Sequence, residues 1–408
     1  MLYTRRDVGR FALAAGALGI ASPRIFAAAK PDSKIKGIQI GAITYSYRSM
    51  PDQTAEAHLQ YFVDSGISAC EMETPLGNWT REKGNWNSSP AAALAAAAGG
   101  GRGGGRGGSG AGRGGGGGRG PARTWPVVAG MTVGFPNDQP AGQWNGVACP
   151  AAAGRGEGGA LAGAGGGRGG SGRGGGGRGG GGGGRGPQTP EQIAAADAER
   201  KWRLALPMSI FQELRTLYNN AGVTIYAVKE VHQDTDEDLD YTFTVAKTLG
   251  ATHVTLELPT GPDADKEFKR LGDWALKYKM LTAYHTHQQG SMTALNTAFE
   301  VSKGNAANVD LGHFMAATNP GGTPLDFLNK FHDRIASFHL KDRTSVAHCA
   351  LNLPWGTGET PIPQILQTVL KNKWTMPATI ELEYNIPEGS DAVKEVAKCL
   401  EFCRKALA

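Results

Sequence analysis

Residues 281–287 read Leu-Thr-Ala-Tyr-His-Thr-His, a short apolar run that closes on two imidazoles. Three later segments repeat this design: Asp310-Leu311-Gly312-His313, His339-Leu340-Lys341-Asp342 and Glu381-Leu382-Glu383-Tyr384. Each places a His or a carboxylate at the end of a run fit for a buried strand. Runs of this kind, alternating with helical stretches, indicate a parallel sheet. Working outward, the sequence predicts strands over 35–45, 67–73, 223–231, 252–258, 281–287, 308–312, 335–341 and 378–384. It predicts helices over 52–65, 190–221, 236–249, 263–278, 291–303, 324–332, 362–372 and 391–406. Eight such repeats predict an α/β fold closed as a (β/α)8 TIM barrel. An open doubly wound sheet would carry a glycine-rich phosphate turn after its first strand. Ile40-Gly41-Ala42-Ile43-Thr44 has none.

Gly accounts for 62 of the 408 residues, and most lie in one stretch. From Ala91 the composition collapses into Ala and Gly, then into Gly-Arg repeats up to residue 186, broken by a richer island over 124–150. Such sequence cannot bury enough apolar surface to offset its ordering entropy, so a disordered insertion is predicted over 91–186. It falls in the loop after strand 2 and leaves a barrel over 31–90 and 187–408. The net charge is +5, yet residues 98–186 carry ten Arg against Asp138 and Glu157. Residues 1–30 add four more positive charges, so the foldable part is acidic. An acidic barrel is a poor electrostatic partner for nucleic acid, and none is expected.

Thr4-Arg5-Arg6-Asp7 precedes an apolar run over 11–21 and the small residues Ala27-Ala28-Ala29. Residues 1–30 thus resemble a twin-arginine export signal. The chain is expected to be periplasmic or otherwise exported, without stable membrane insertion after cleavage. The five cysteines are odd in number and lack zinc-finger spacing, so they read as buried thiols and no disulfide framework is indicated.

In a barrel, polar residues at the C-terminal ends of strands face the mouth, where burying them is expensive unless they are paired or bound to metal. Imidazoles mixed with carboxylates suit Mn²⁺, Zn²⁺, Co²⁺ or Fe²⁺ better than Mg²⁺. Glu381 and Glu383 share one face of strand 8, so one can ligate while the other sits a layer deeper. Lys229 and Glu257, ending strands 3 and 4, also face the mouth. Lys229 reads as a general base, a clamp on a substrate oxygen, or half of an ion pair with Glu257 or Glu71. His58, His232, His253, His332 and His348 lack this context and read as structural.

Together these motifs, with Trp-Gly-Thr-Gly at 355–358, resemble the xylose isomerase-like TIM-barrel family of sugar phosphate isomerases/epimerases. The resemblance spans roughly 35–80 and 190–408. It implies one divalent metal held from strands 5 to 8, carried over to His285, Asp310, His339 and Glu383. The family's strand-5 ligand is usually a Glu, and His285 stands in its place. The resemblance also implies that Glu71 and His287 meet a small sugar substrate, and that His313 and Lys341 either face that substrate or support the metal's ligands, a structural Lys341–Asp342 pair being the other reading. Glu383, or failing that Lys229 or Glu257, would then act as base.

The implied activity is isomerisation or epimerisation of a sugar or keto-sugar by proton abstraction next to a carbonyl. With one carboxylate lost at strand 5, a 3-keto-glycoside lyase or hydratase is the alternative. A non-catalytic carbohydrate-binding barrel is the alternative of another class.

Overall fold

The computed structural model describes residues 30–98, 141–145, 147–149, 189–229 and 231–408. The signal reading over 1–30 and most of the insertion reading over 91–186 therefore lie outside the described residues. Eight parallel strands form the barrel: β1 (Ile38–Ile43), β2 (Ala69–Met72), β3 (Thr224–Val228), β4 (His253–Glu257), β5 (Leu281–His285), β6 (Asn305–Asp310), β7 (Ile335–Leu340) and β8 (Ala378–Ile380). Each pairs with its sequence neighbour, and β8 pairs with β1 to close the ring. With every strand paired on both sides, the ring has no free edge.

The outer face of the ring and the inner faces of the helices make one apolar core, with Leu59 and Phe62, Phe211 and Tyr218, and Ile365 and Val369 buried on three of the helices. The inside of the ring is different. It is a column of hydrogen-bonded polar side chains: Tyr226 Oη meets Thr379 Oγ1 at 2.7 Å, and His253 Nε2 meets Ser337 Oγ at 2.9 Å. Gly41 makes room for it, since a Cβ there would stand 2.6 Å from the Tyr226 ring.

Three elements depart from expectation. The helix predicted over 190–221 is two helices, Pro190–Leu204 and Ser209–Asn220, because Pro207 interrupts the backbone ladder. Only Asn296–Val301 of the stretch 291–303 is α-helical. Strand 8 ends at Ile380, well short of Tyr384.

The flanks of the insertion are ordered helix. Pro90–Ala97 packs against Pro190–Leu204, so helix continues past the expected boundary at residue 91. Nearby, Trp202 Nε1 donates to Gly84 O at 3.0 Å and the Trp86 and Trp202 rings lie 4.8 Å apart. One cysteine expectation is corrected. Cys149 and Cys349 form a disulfide, while Cys70, Cys399 and Cys403 are buried thiols. The pairing joins residues 200 positions apart, which spacing in sequence cannot reveal. Among the described residues, no helix is long and apolar enough to cross a membrane.

Candidate metal centre at the barrel mouth

β5, β6, β7 and the residue after β8 bring His285, Asp310, His339 and Glu381 together, with one ligand atom from each lying within 4.8 Å of the others. All four are buried. His285 Nδ1 is held by Asn308 Oδ1 at 2.8 Å, and its Nε2 has no hydrogen-bond partner among the described residues. Burial, helped by Lys229, holds this imidazole well below its usual range, so it is a neutral donor. Asp310 Oδ1 accepts from the His313 backbone N at 2.7 Å. Its Oδ2 lies 3.0 Å from Lys341 Nζ without hydrogen-bond geometry. Burial pushes this carboxyl up, to about 6, against the pull of Lys341.

His339 bridges two carboxylates, with Nδ1 2.7 Å from Glu381 Oε2 and Nε2 2.8 Å from Glu71 Oε2. Burial alone would lower it, but the two carboxylates raise it to about 10. Glu71 answers in kind. Burial would raise it, yet His339 holds it down at about 2. Both nitrogens of His339 therefore carry protons, and a metal held by this ring would have to displace one of them.

Lys341 Nζ sits among Asp310 Oδ2, Glu381 Oε2 and Glu383 Oε2 at 3.0, 3.0 and 2.7 Å. Despite burial these carboxylates keep it protonated. A Cβ at Gly312 would fall 2.2 Å from Lys341 Cγ, so the glycine admits the lysine stem. Glu71, Asp310, Glu381 and Glu383 face the cations Lys341 and His339, with Lys229 and Arg343 close enough to act on the same carboxylates. Neutral and anionic donors and an orphaned imidazole nitrogen fit a divalent cation.

Some predicted residues occupy other roles. The strand-8 carboxylate in the cluster is Glu381, where Glu383 was expected. Glu383 lies two residues further out, at the edge of the mouth, with one-fifth of its side chain exposed. Alternation placed both on one face, but the height at which β8 ends selects between them. Glu71 does not face the mouth as a substrate contact. It is fully buried beneath His339 and accepts from Thr255 Oγ1 at 2.7 Å. Its strand-2 neighbour Glu73 stands higher. Burial raises that carboxyl, and its Oε2 has no hydrogen-bond partner among the described residues.

Lys229 and Glu257 meet at 3.6 Å, the ion pair that was one of the readings. Burial acts against the ammonium, but Glu257 and Glu73 prevail and raise it further. His287 is half exposed and lies 3.4 Å from Glu257 Oε2. His313 Nε2 lies 3.7 Å from Glu383 Oε2, and its Nδ1 lies 2.6 Å from Arg343 Nη1.

Sequence reasoning passed over Asn308 and Arg343. Asn308 fixes His285 and also donates to Glu71 at 3.2 Å and Ser337 at 2.6 Å. Its only signal was parity, two residues before Asp310 on the same face of β6. Asp342 has a separate role. Its carboxylate accepts four backbone N–H groups, from Gly356, Thr357, Gly358 and Thr360, and so folds the Trp-Gly-Thr-Gly loop onto the rim.

No family model and no curated protein matches the chain. Among solved structures it is similar to a xylose isomerase domain protein from Planctomyces limnophilus, at 15% identity and a TM-score of 0.41, over 49% of this chain and 82% of that one. It is also similar to a sugar phosphate isomerase/epimerase from Parabacteroides distasonis, at 15% identity and a TM-score of 0.38, over 47% and 74% of the two chains. A 3-keto-D-glucoside 4-epimerase from E. coli aligns at 11% identity and a TM-score of 0.38, over 48% and 85%.

Proposed function

We propose that the barrel mouth binds one divalent metal and isomerises or epimerises a sugar or keto-sugar by proton removal next to a carbonyl. The observation that carries this reading is the buried convergence of His285, Asp310, His339 and Glu381, with His285 Nε2 lacking a hydrogen-bond partner among the described residues. When bound, the metal acidifies the C–H beside a chelated carbonyl. Glu383 stands at the open edge of the mouth and takes the proton. Lys341 holds Glu383, Glu381 and Asp310 in one arrangement. Across the ring, Lys229, Glu257 and His287 receive substrate oxygens. Glu73, whose carboxyl is raised, returns a proton. Return to the same carbon from the other face gives an epimer, and return to the neighbouring carbon gives an isomer.

A lyase or hydratase on a 3-keto-glycoside is the second reading. The neutral His285 favours it, because one carboxylate beside a Lewis acid suffices for β-elimination. We further propose that residues 1–30 direct export by the twin-arginine route. The Cys149–Cys349 disulfide supports an oxidising destination. Replacing Arg5 and Arg6 with Lys should strand the chain in the cytoplasm on cell fractionation, and continued export would overturn that proposal.

The test of the enzyme reading is metal analysis of purified protein, followed by incubation with free ketoses and 3-keto-sugars in D₂O. We expect chelator-sensitive deuterium uptake at one carbon, with the product separating epimerase from lyase. A sugar that binds equally well after chelation, with no exchange at any carbon, would leave a carbohydrate-binding barrel and sink the enzyme reading.

A further inference from the structure

A described piece of the insertion is tied to the loop after β7, and the tie runs on to the barrel mouth. Gln143–Trp144 and Val147–Ala148 pair antiparallel as a small hairpin. Trp144 is buried against Cys349, Leu351 and Leu353. Gly142 N donates to Ala347 O at 2.8 Å, and Cys149 is bonded to Cys349. The turn they grip is unusual. Cys349 and Ala350 have φ of 76° and 50°, left-handed backbone that such residues hold only when their surroundings impose it.

That turn aims Ala350 O at Arg343, whose Nη2 donates to it at 2.6 Å. Arg343 is fully buried, and its Nη1 donates to His313 Nδ1 at 2.6 Å. A guanidinium can only donate, so Nδ1 accepts and the ring proton resides on Nε2. Nε2 is the atom that faces Glu383.

We propose that the Cys149–Cys349 disulfide is a positioning clamp: it holds the Ala350 turn against Arg343, and Arg343 locks His313 as an Nε2–H donor at the mouth. Arg343 is thus a positioning residue acting through His313. Closing the clamp oxidises two thiols. An external disulfide accepts their two electrons and two protons and leaves as two thiols, so the His313 arm is set only where thiols are oxidised. The consequence for catalysis rests on the reading of the mouth given above, but the clamp can be tested without metal or substrate.

The experiment is nitrogen-15 histidine labelling of the full chain, chelator-treated, with long-range NMR correlations that report which ring nitrogen is protonated. In oxidised protein His313 should show a single Nε2–H tautomer. Phosphine reduction of the folded protein and Cys149→Ser should both replace it with an averaged pattern, while buried His253 keeps its own. Arg343→Gln should reproduce the change with the disulfide intact, and Arg343→Lys should partly restore the tautomer. An unchanged His313 pattern after confirmed reduction would overturn the proposal. So would a non-reducing peptide map of folded protein in which Cys149 and Cys349 are both free thiols. Because reduction acts on protein already folded, failure of the serine variant to fold does not remove the test.

Discussion

Glu381 and Glu383 lie two residues apart on one face, and their surroundings differ enough to divide their work. Glu381 touches His339 and Lys341 inside the cluster, while Glu383 reaches Lys341 and the edge of His313. Glu381→Gln is therefore expected to weaken metal binding by at least the 10–100-fold typical of losing even an outer partner of a metal site. Glu383→Gln should keep the metal and abolish deuterium exchange. Metal content and exchange measured on both variants check the division, and the reverse pattern would refute it. Lys341→Met should be harsher in metal-free protein. It strands the Asp310 carboxylate without its buried cation, while Glu381 keeps His339, a loss of about 3–5 kcal/mol. Denaturant unfolding reads that loss, and added divalent ion should recover part of it.

At the scale of the element, β6 and the turn after it depend on Gly312. A methyl group there meets both the Lys341 stem and the Lys341 carbonyl, at 2.2 and 2.6 Å. The backbone contact cannot swing aside. Gly312→Ala is expected to destabilise by at least about 1–3 kcal/mol, the usual penalty of overpacking, and to lower metal affinity by displacing Lys341. A variant as stable as the parent, with the same metal affinity, would show that β7 moves freely. The ring's polar column makes a second element-scale prediction. His253, on β4, hydrogen-bonds Thr252 and Ser337, and burial lowers it to about 4. The unfolded chain binds its proton near pH 6.5, so between pH 6.5 and about 4 the unfolded state holds more protons and stability falls as pH falls. The shift corresponds to roughly 3 kcal/mol at full extent. His253→Gln should flatten the stability profile in that window, and an unchanged slope would assign the effect to other groups.

For the whole molecule, the insertion enters between two helices that pack on each other, so the barrel does not depend on the long connection for its closure. Closure entropy changes slowly with loop length. Replacing residues 99–188 with a short Gly-Ser linker should leave cooperative unfolding and metal binding intact, while removing the disulfide. Loss of cooperative unfolding would show that the insertion carries part of the core.

The alternation of apolar runs with helical stretches determined the barrel, because a (β/α)8 ring is built from local periodicity repeated eight times. The same pattern marked His285, Asp310 and His339 as strand-end residues, since residues ending neighbouring parallel strands share a rim. Tertiary structure decided what periodicity cannot encode. Parity holds for Glu381 and Glu383 alike, so only the height at which β8 stops chooses between them. The Lys229–Glu257 pair, Glu71 beneath His339 and the Cys149–Cys349 bond all depend on groups distant in sequence meeting in space. Electrostatic environment and cross-linking are properties of that meeting, and no local stretch of the chain contains them.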